Sequence, residues 1–202
     1  MIGLNSAGRI VTRIAPAGGN FHPGDVSAAA EGVFVSDSQN GAIYELAKTG
    51  YSLSPLVKAG VGKSGQGTAI DAEGKRLIVA DYSQGVGAVD LSSGARTLLP
   101  RQDGKPLRGI DGLVRCGEVY YGIYNGSSPG SLLAITLGEN GLTFDQPLGE
   151  TTLPDPTQLA YDGRRLLIVA DSGWATIEKP GFKRTTGAPI LSLPLSEDCK
   201  PQ

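Results

Sequence analysis

Three short patterns in this chain of 202 residues carry residue types that chemistry uses. Gly60-Val61-Gly62-Lys63-Ser64-Gly65 matches the dinucleotide fingerprint G-x-G-x-x-G, whose glycines let a backbone close on a pyrophosphate. That use needs a helix starting there with its N-terminus aimed at the phosphates. The next residues, Gln66-Gly67-Thr68-Ala69-Ile70-Asp71, read as a strand, so the stretch is assigned to a loop. Gly126-Ser127-Ser128-Pro129-Gly130 matches the nucleophile elbow G-x-S-x-G, but Pro129 and a following strand stand where the elbow needs a helix. The only histidine, His22, is the single imidazole base for such a serine, and a glycine-rich hairpin is the simpler reading. Asp37, Asp81, Asn125 and Asp171 each close an apolar run, which suggests a ring of metal ligands. A turn explains all four at once, because Asp and Asn bond the backbone just beyond them.

The elements that carry these residues repeat. Val33-Phe34-Val35-Ser36-Asp37, Leu77-Ile78-Val79-Ala80-Asp81, Tyr121-Gly122-Ile123-Tyr124-Asn125 and Leu167-Ile168-Val169-Ala170-Asp171 read alike, and the closing residue recurs after 44, 44 and 46 positions. An extended stretch and a turn precede each, and another strand follows, as in Ala42–Leu46, Gly87–Leu91, Leu132–Thr136 and Pro189–Leu193. Several antiparallel strands per roughly 44 residues is the spacing of propeller blades. The chain is therefore expected to be all-β, a β-propeller with four blade repeats over residues 20–60, 61–104, 105–150 and 151–195, and a tail over 196–202. Residues 1–14 hold one more strand, Arg9–Ile14. That strand either ends a preceding blade of a partial six-bladed propeller or closes the last blade of a four-bladed ring.

In such a ring the starts of the innermost strands converge on one channel mouth. They are Pro23-Gly24-Asp25-Val26, Gly65-Gln66-Gly67-Thr68, Ile110-Asp111-Gly112-Leu113 and Pro156-Thr157-Gln158-Leu159. Gly24, Asp25, Gln66, Asp111 and Thr157 are thus the expected ligand-binding positions, with His22 and Trp174 near the rim. Two carboxylates, Asp25 and Asp111, suit a hard cation such as calcium, which takes six to eight oxygens. A small polar molecule would satisfy the same groups.

Composition narrows the partners. Eighteen basic against 20 acidic residues leave a net charge of −2. No stretch concentrates Lys and Arg as a phosphate-binding surface requires, so nucleic acid is not an expected partner. No apolar run approaches the roughly 18 residues of a membrane span. Met1–Ser6 lacks the basic and apolar regions of a secretory signal. Met1 is the only methionine, so a start laid inside a longer reading frame is one reading of this end. Cys116 and Cys199 lie far apart and are expected as free thiols, with a single bridge the alternative if the chain is exported.

Over roughly residues 20–195 the chain resembles the senescence marker protein/gluconolactonase family of six-bladed propellers, as its C-terminal four blades. The likeness is strongest in Gly109–Leu113, Tyr124–Pro129, Asp155–Thr157 and Val169–Trp174, and lies nearer to bacterial, often exported branches than to the well-studied lactonases. The resemblance implies a divalent metal in the channel, commonly calcium, held by a first-blade Glu and by Asn, Asn and Asp from later first-strand starts. Carried over, the Asp falls on Asp111, one Asn on Gly24, which has no side chain, and the other on Gln66; the Glu has no counterpart. Two functions follow as expectations. One is a non-catalytic propeller binding a small molecule or a protein at the channel mouth, with missing blades or a second chain completing the ring. The other is a calcium-dependent lactonase or esterase acting through Asp111. An extracytoplasmic location is implied by the resemblance alone.

Overall fold

The structure is a computed structural model and describes residues 1–17, 20–30, 32–47, 49, 51–177, 179, 181 and 186–195. Cys199 and the tail 196–202 lie outside the described residues. Four small antiparallel sheets are arranged as a four-bladed β-propeller, each following chain order from its inner to its outer strand. Blade 1 is β3 (Pro23–Ala29), β4 (Gly32–Asp37), β5 (Ile43–Leu46) and β6 (Leu53–Val57). Blade 2 is β7 (Gly65–Ile70), β8 (Arg76–Asp81), β9 (Gly85–Asp90) and β10 (Arg96–Leu98). Blade 3 is β11 (Ile110–Cys116), β12 (Val119–Tyr124), β13 (Ser131–Gly138) and β14 (Gly141–Asp145). Blade 4 has three described strands, β15 (Leu159–Tyr161), β16 (Arg165–Val169) and β17 (Ile190–Pro194), with a single helical turn, α1 (Trp174–Ile177), before the last.

The core lies between blades rather than at one centre, and strand alternation puts it there. Leu77 and Val79 of β8 pack with Phe34, Ile43 and Val57 of blade 1. Ile78 and Ala80 of the same strand point the other way, onto Leu113, Leu133 and Ile135 of blade 3. Ile123 and Leu132 then meet Leu159, Leu166 and Ile168 of blade 4. Strands covered on both faces read as continuous apolar runs, which is why β8 is Leu-Ile-Val-Ala without a polar break.

Inner strands approach so closely that side chains are excluded at some positions. A methyl group on Gly67 would lie 2.6 Å from the Asp111 carbonyl oxygen and nearer still to the Leu113 nitrogen. Ser27 bridges the gap between β3 and β7, donating to the Thr68 carbonyl at 2.6 Å.

One expectation meets a different outcome, and the N-terminal strand takes a partner of its own. The strand over Arg9–Ile14 forms as β2 (Ile10–Arg13), but it pairs with β1 (Ile2–Leu4) and not with β17 of blade 4. The hairpin packs on blade 1, with Ile14 buried against Val35 and Leu53. Cys116 is disulfide-bonded rather than a free thiol. It ends β11, at the far end of the strand from Asp111.

Gly67→Ala should cost about 1–3 kcal/mol in urea unfolding, because backbone atoms of the neighbouring strand cannot move aside. Gly187→Ala, whose added carbon meets nothing within 4 Å, should stay within about 0.5 kcal/mol of the parent.

Candidate functional site

Strand starts and strand ends meet at one mouth and enclose a cleft of about 450 Å³. Gln66 is the second residue of β7 and Asp111 the second of β11, so both first-strand starts face it. Tyr82 and Asn125 follow the last residues of β8 and β12, and Asp155, Pro156 and Trp174 come from blade 4. Trp174 is 65% exposed, leaving an indole at the rim.

Asn125 organises the floor. Its Nδ2 donates to Asp111 Oδ2 and to the Pro156 carbonyl, both at 3.0 Å. Its Oδ1 is buried and has no hydrogen-bond partner among the described residues. The Tyr82 hydroxyl donates to the Asn125 carbonyl at 3.3 Å, fixing the backbone from the other side. Burial pushes the Asp111 carboxyl above the usual carboxylate range, and the Asn125 amide partly offsets it. Tyr82 is likewise raised by burial and by the nearby Asp111 charge.

The expected positions divide. Gln66 and Asp111 share the cleft, whereas Gly24 and Asp25 line a second one with Val26, Val35 and Gln158. Gly24 serves close approach: a methyl there would lie 3.2 Å from Gln66 Oε1 and strike the Gly65 carbonyl. Asp25 faces β7, and its Oδ2 accepts the Thr68 N–H at 2.9 Å. Its pKa is raised to about 6, chiefly by burial, with the Asp111 charge adding a smaller upward push. Thr157 is buried; its carbonyl accepts the Gly112 N–H at 2.9 Å, so its backbone ties blade 4 to blade 3. Trp174 reaches the rim, while His22 is exposed, and its carbonyl accepts from Ser38 ahead of β3.

The strand-closing residues also divide. Asp37 accepts the N–H groups of Gln39 and Asn40, Asp81 those of Ser83 and Gln84, and Asp171 that of Gly173, all turn contacts. In the third repeat the residue is an amide, and its side chain reaches a first-strand carboxylate. A carboxylate at 125 would repel Asp111, so the Asp-to-Asn change within the repeat was the available signal. The G-x-G-x-x-G loop spends its N–H groups inside the protein: Lys63 and Ser64 donate to the Asp81 carboxylate at 2.8 and 3.2 Å. Arg96 pairs with that same carboxylate, so the loop's anion is already built in.

Neither a known protein family nor a curated protein matches the chain. Solved structures do. The computationally designed Ika4 protein is similar over 91% of this chain and 97% of its own, with 9% identity and a TM-score of 0.55. An auxiliary nutrient binding protein from Bacteroides ovatus is 16% identical, covering 73% of this chain and 42% of its own, with a TM-score of 0.57. The WD40 repeats of RRP9 are 12% identical over 76% of this chain and 46% of theirs, with a TM-score of 0.50. The chain thus spans less than half the length of the last two. At these identities the likeness is one of fold: the molecule is a β-propeller.

Asp25 supplies a pH prediction. The folded chain keeps its proton up to about pH 6, while the unfolded chain releases it near the ordinary 3.8. The stabilising contribution of the protonated group is complete below the unfolded value and is lost as pH rises through the folded one. Asp25→Asn keeps an oxygen for Thr68 without the charge. Its stability advantage over the parent should be near zero at pH 3.5 and grow to about 2–3 kcal/mol by pH 7.5, read as paired urea midpoints.

Proposed function

We propose that the chain is a ligand-binding propeller that takes a small polyhydroxylated molecule in the mouth cleft. The observation that carries this reading is Asn125 Oδ1, a buried acceptor without a partner beside the desolvated Asp111 carboxyl. A buried acceptor left unsatisfied costs about 1–3 kcal/mol, so a ligand hydroxyl donating to it recovers that energy on binding. Asp111 accepts a second hydroxyl, Gln66 offers both an acceptor and a donor, and Trp174 provides a flat apolar wall at the rim. The resemblance to the gluconolactonase-like propellers agrees with such a ligand. The disulfide at Cys116 favours an oxidising compartment and so supports the extracytoplasmic location.

A calcium-assisted lactone hydrolase is the second reading, and one observation favours it. Asp111, Gln66 and Asn125 place three oxygen-bearing side chains on one cleft. The fit is partial. Asp25 lines the other cleft, and among the described residues no three His, Cys, Asp or Glu side chains come together. Waters would have to supply the remaining oxygens of a calcium shell. A cation held there would polarise a lactone carbonyl.

The single tryptophan, Trp174, reports on the site directly. Its emission should change saturably with a sugar or sugar lactone, and Asp111→Asn should weaken that binding roughly 10- to 100-fold, by loss of charge-assisted hydrogen bonds. Asn125→Asp separates the two readings. A second carboxylate should tighten calcium and weaken a neutral polyol. No Trp174 response to any sugar, lactone or calcium would remove both.

A further inference from the structure

A third cleft, of about 510 Å³, lies on blade 3 and shares Ser127 with the mouth but none of its other lining residues. Three connecting segments build it. The one between β10 and β11 supplies Arg101, Leu107 and Arg108, the one between β12 and β13 supplies Ser127 and Pro129, and the one after β14 supplies Gln146 and Thr152. Backbone hydrogen bonds hold each segment in place. Arg101 N–H donates to the Lys105 carbonyl at 2.9 Å, and the Pro100 carbonyl before it accepts the Leu142 N–H of β14 at 2.8 Å. Arg108 stands between two anchored neighbours: the Leu107 carbonyl accepts the Val86 N–H at 3.1 Å, and Gly109 N–H donates to the Tyr82 carbonyl at 3.0 Å. Across the remaining side, Gly130 N–H donates to the Leu153 carbonyl at 2.8 Å and Leu153 N–H to the Gly130 carbonyl at 3.0 Å. The walls are therefore fixed by the fold itself.

Its chemistry is the reverse of the mouth's. The floor is apolar: Leu107 and Leu133 are buried, and Tyr124 and Phe144 pack against the same cluster. The rim is cationic. Arg101 and Arg108 both line the cleft, and no acidic side chain is among the described residues that do. The guanidinium carbon of Arg101 lies 5.5 Å from the centre of the Phe144 ring, and its Nη2 lies 2.9 Å from Asp103 Oδ2. A ring and a carboxylate thus orient its planar fork, which reduces the side-chain freedom it loses on binding. Arg108 is exposed and forms no ion pair among the described residues, so it brings an uncompensated positive charge to a chain whose net charge is −2.

We propose that this cleft binds a small organic anion, a carboxylate or phosphate carried on a flat apolar ring. Arg101 and Arg108 take the anionic group, since a guanidinium presents paired N–H donors that match carboxylate and phosphate oxygens. The Ser131 and Thr152 hydroxyls add neutral donors at the same rim. The ring lies on Leu107 and Leu133, beside Tyr124 and Phe144. The volume falls within the range of clefts that hold one small molecule. Because the mouth offers mainly acceptors and this cleft mainly donors, the two select different ligands, and this site stands whether or not the mouth takes a polyol.

The test titrates the folded chain by calorimetry with benzoate, phenyl phosphate, neutral benzyl alcohol and inorganic phosphate. At least one aryl anion should bind saturably and roughly tenfold or more tightly than the alcohol, the worth of a charge-assisted hydrogen bond at a partly exposed site. Inorganic phosphate, which lacks the ring, should bind more weakly than phenyl phosphate. Benzoate bound in preference to phenyl phosphate marks the ligand as a carboxylate, and the reverse marks it as a phosphate ester. Arg108→Gln changes an exposed residue without an ion-pair partner, so the thermal midpoint should stay in place while the preference for the anion disappears. No binding of either aryl anion would overturn the proposal, and so would equal affinity for the alcohol. An anion preference that survives in both Arg108→Gln and Arg101→Gln would remove the assigned site. Inorganic phosphate bound as tightly as phenyl phosphate would reduce it to an adventitious ion only.

Discussion

A small twisted sheet with apolar residues on both faces is unstable until a neighbour covers each side. That constraint organises this molecule. It forces β8 to divide its side chains between blade 1 and blade 3, and it places the buried clusters between sheets. It also brings inner strands so close that Gly67 has no room for a methyl group. Gln66 and Asp111, at the starts of two inner strands, share one mouth, while Asp25 lines a second cleft. Where a neighbour covers only the outer half of a face, as on blade 1, apolar side chains such as Val26 remain in water.

Carboxylates show how position within a blade decides chemistry. Those at outer turns are satisfied by backbone N–H groups and held low: Asp90 falls to about 2 through the hydroxyls and N–H groups of Ser92 and Ser93. Asp81 is buried yet also held low, by N–H groups of the preceding loop and of Gln84 and by Arg96. Asp25 and Asp111, on inner strands, shift upward because burial outweighs the few bonds they accept. At the mouth the Asn125 oxygen, with no hydrogen-bond partner among the described residues, lies beside the desolvated Asp111 carboxyl.

Much of the architecture was legible from residues alone. The period of 44 to 46 residues set the blades, and the strand after each closing Asp or Asn fell where expected. The site was legible only in part. Gln66 and Asp111 do share a cleft, whereas Gly24, at the same place in the repeat, lines the other. Asp25, one step along its strand relative to that pair, was aimed at β7 by the alternation of the chain. Tyr82 and Asn125 follow two different strand ends, and no local pattern announces that they meet Gln66 and Asp111 there.

What the sequence determined by itself was therefore the repeat: turn chemistry and apolar runs are local, and each recurs in register with the next. Only the tertiary structure decided which face each polar group shows and which edges stay open. β2 illustrates the limit. Its residues spell the last strand of a blade, and it is reached from β1 through a turn closed by the Asn5 N–H on the Arg9 carbonyl. Whether that strand closed blade 4 or lay against blade 1 depended on which apolar face was left uncovered. Ile14 found Val35 and Leu53, and a contact between residues distant along the chain is settled by packing rather than by any residue's own preference.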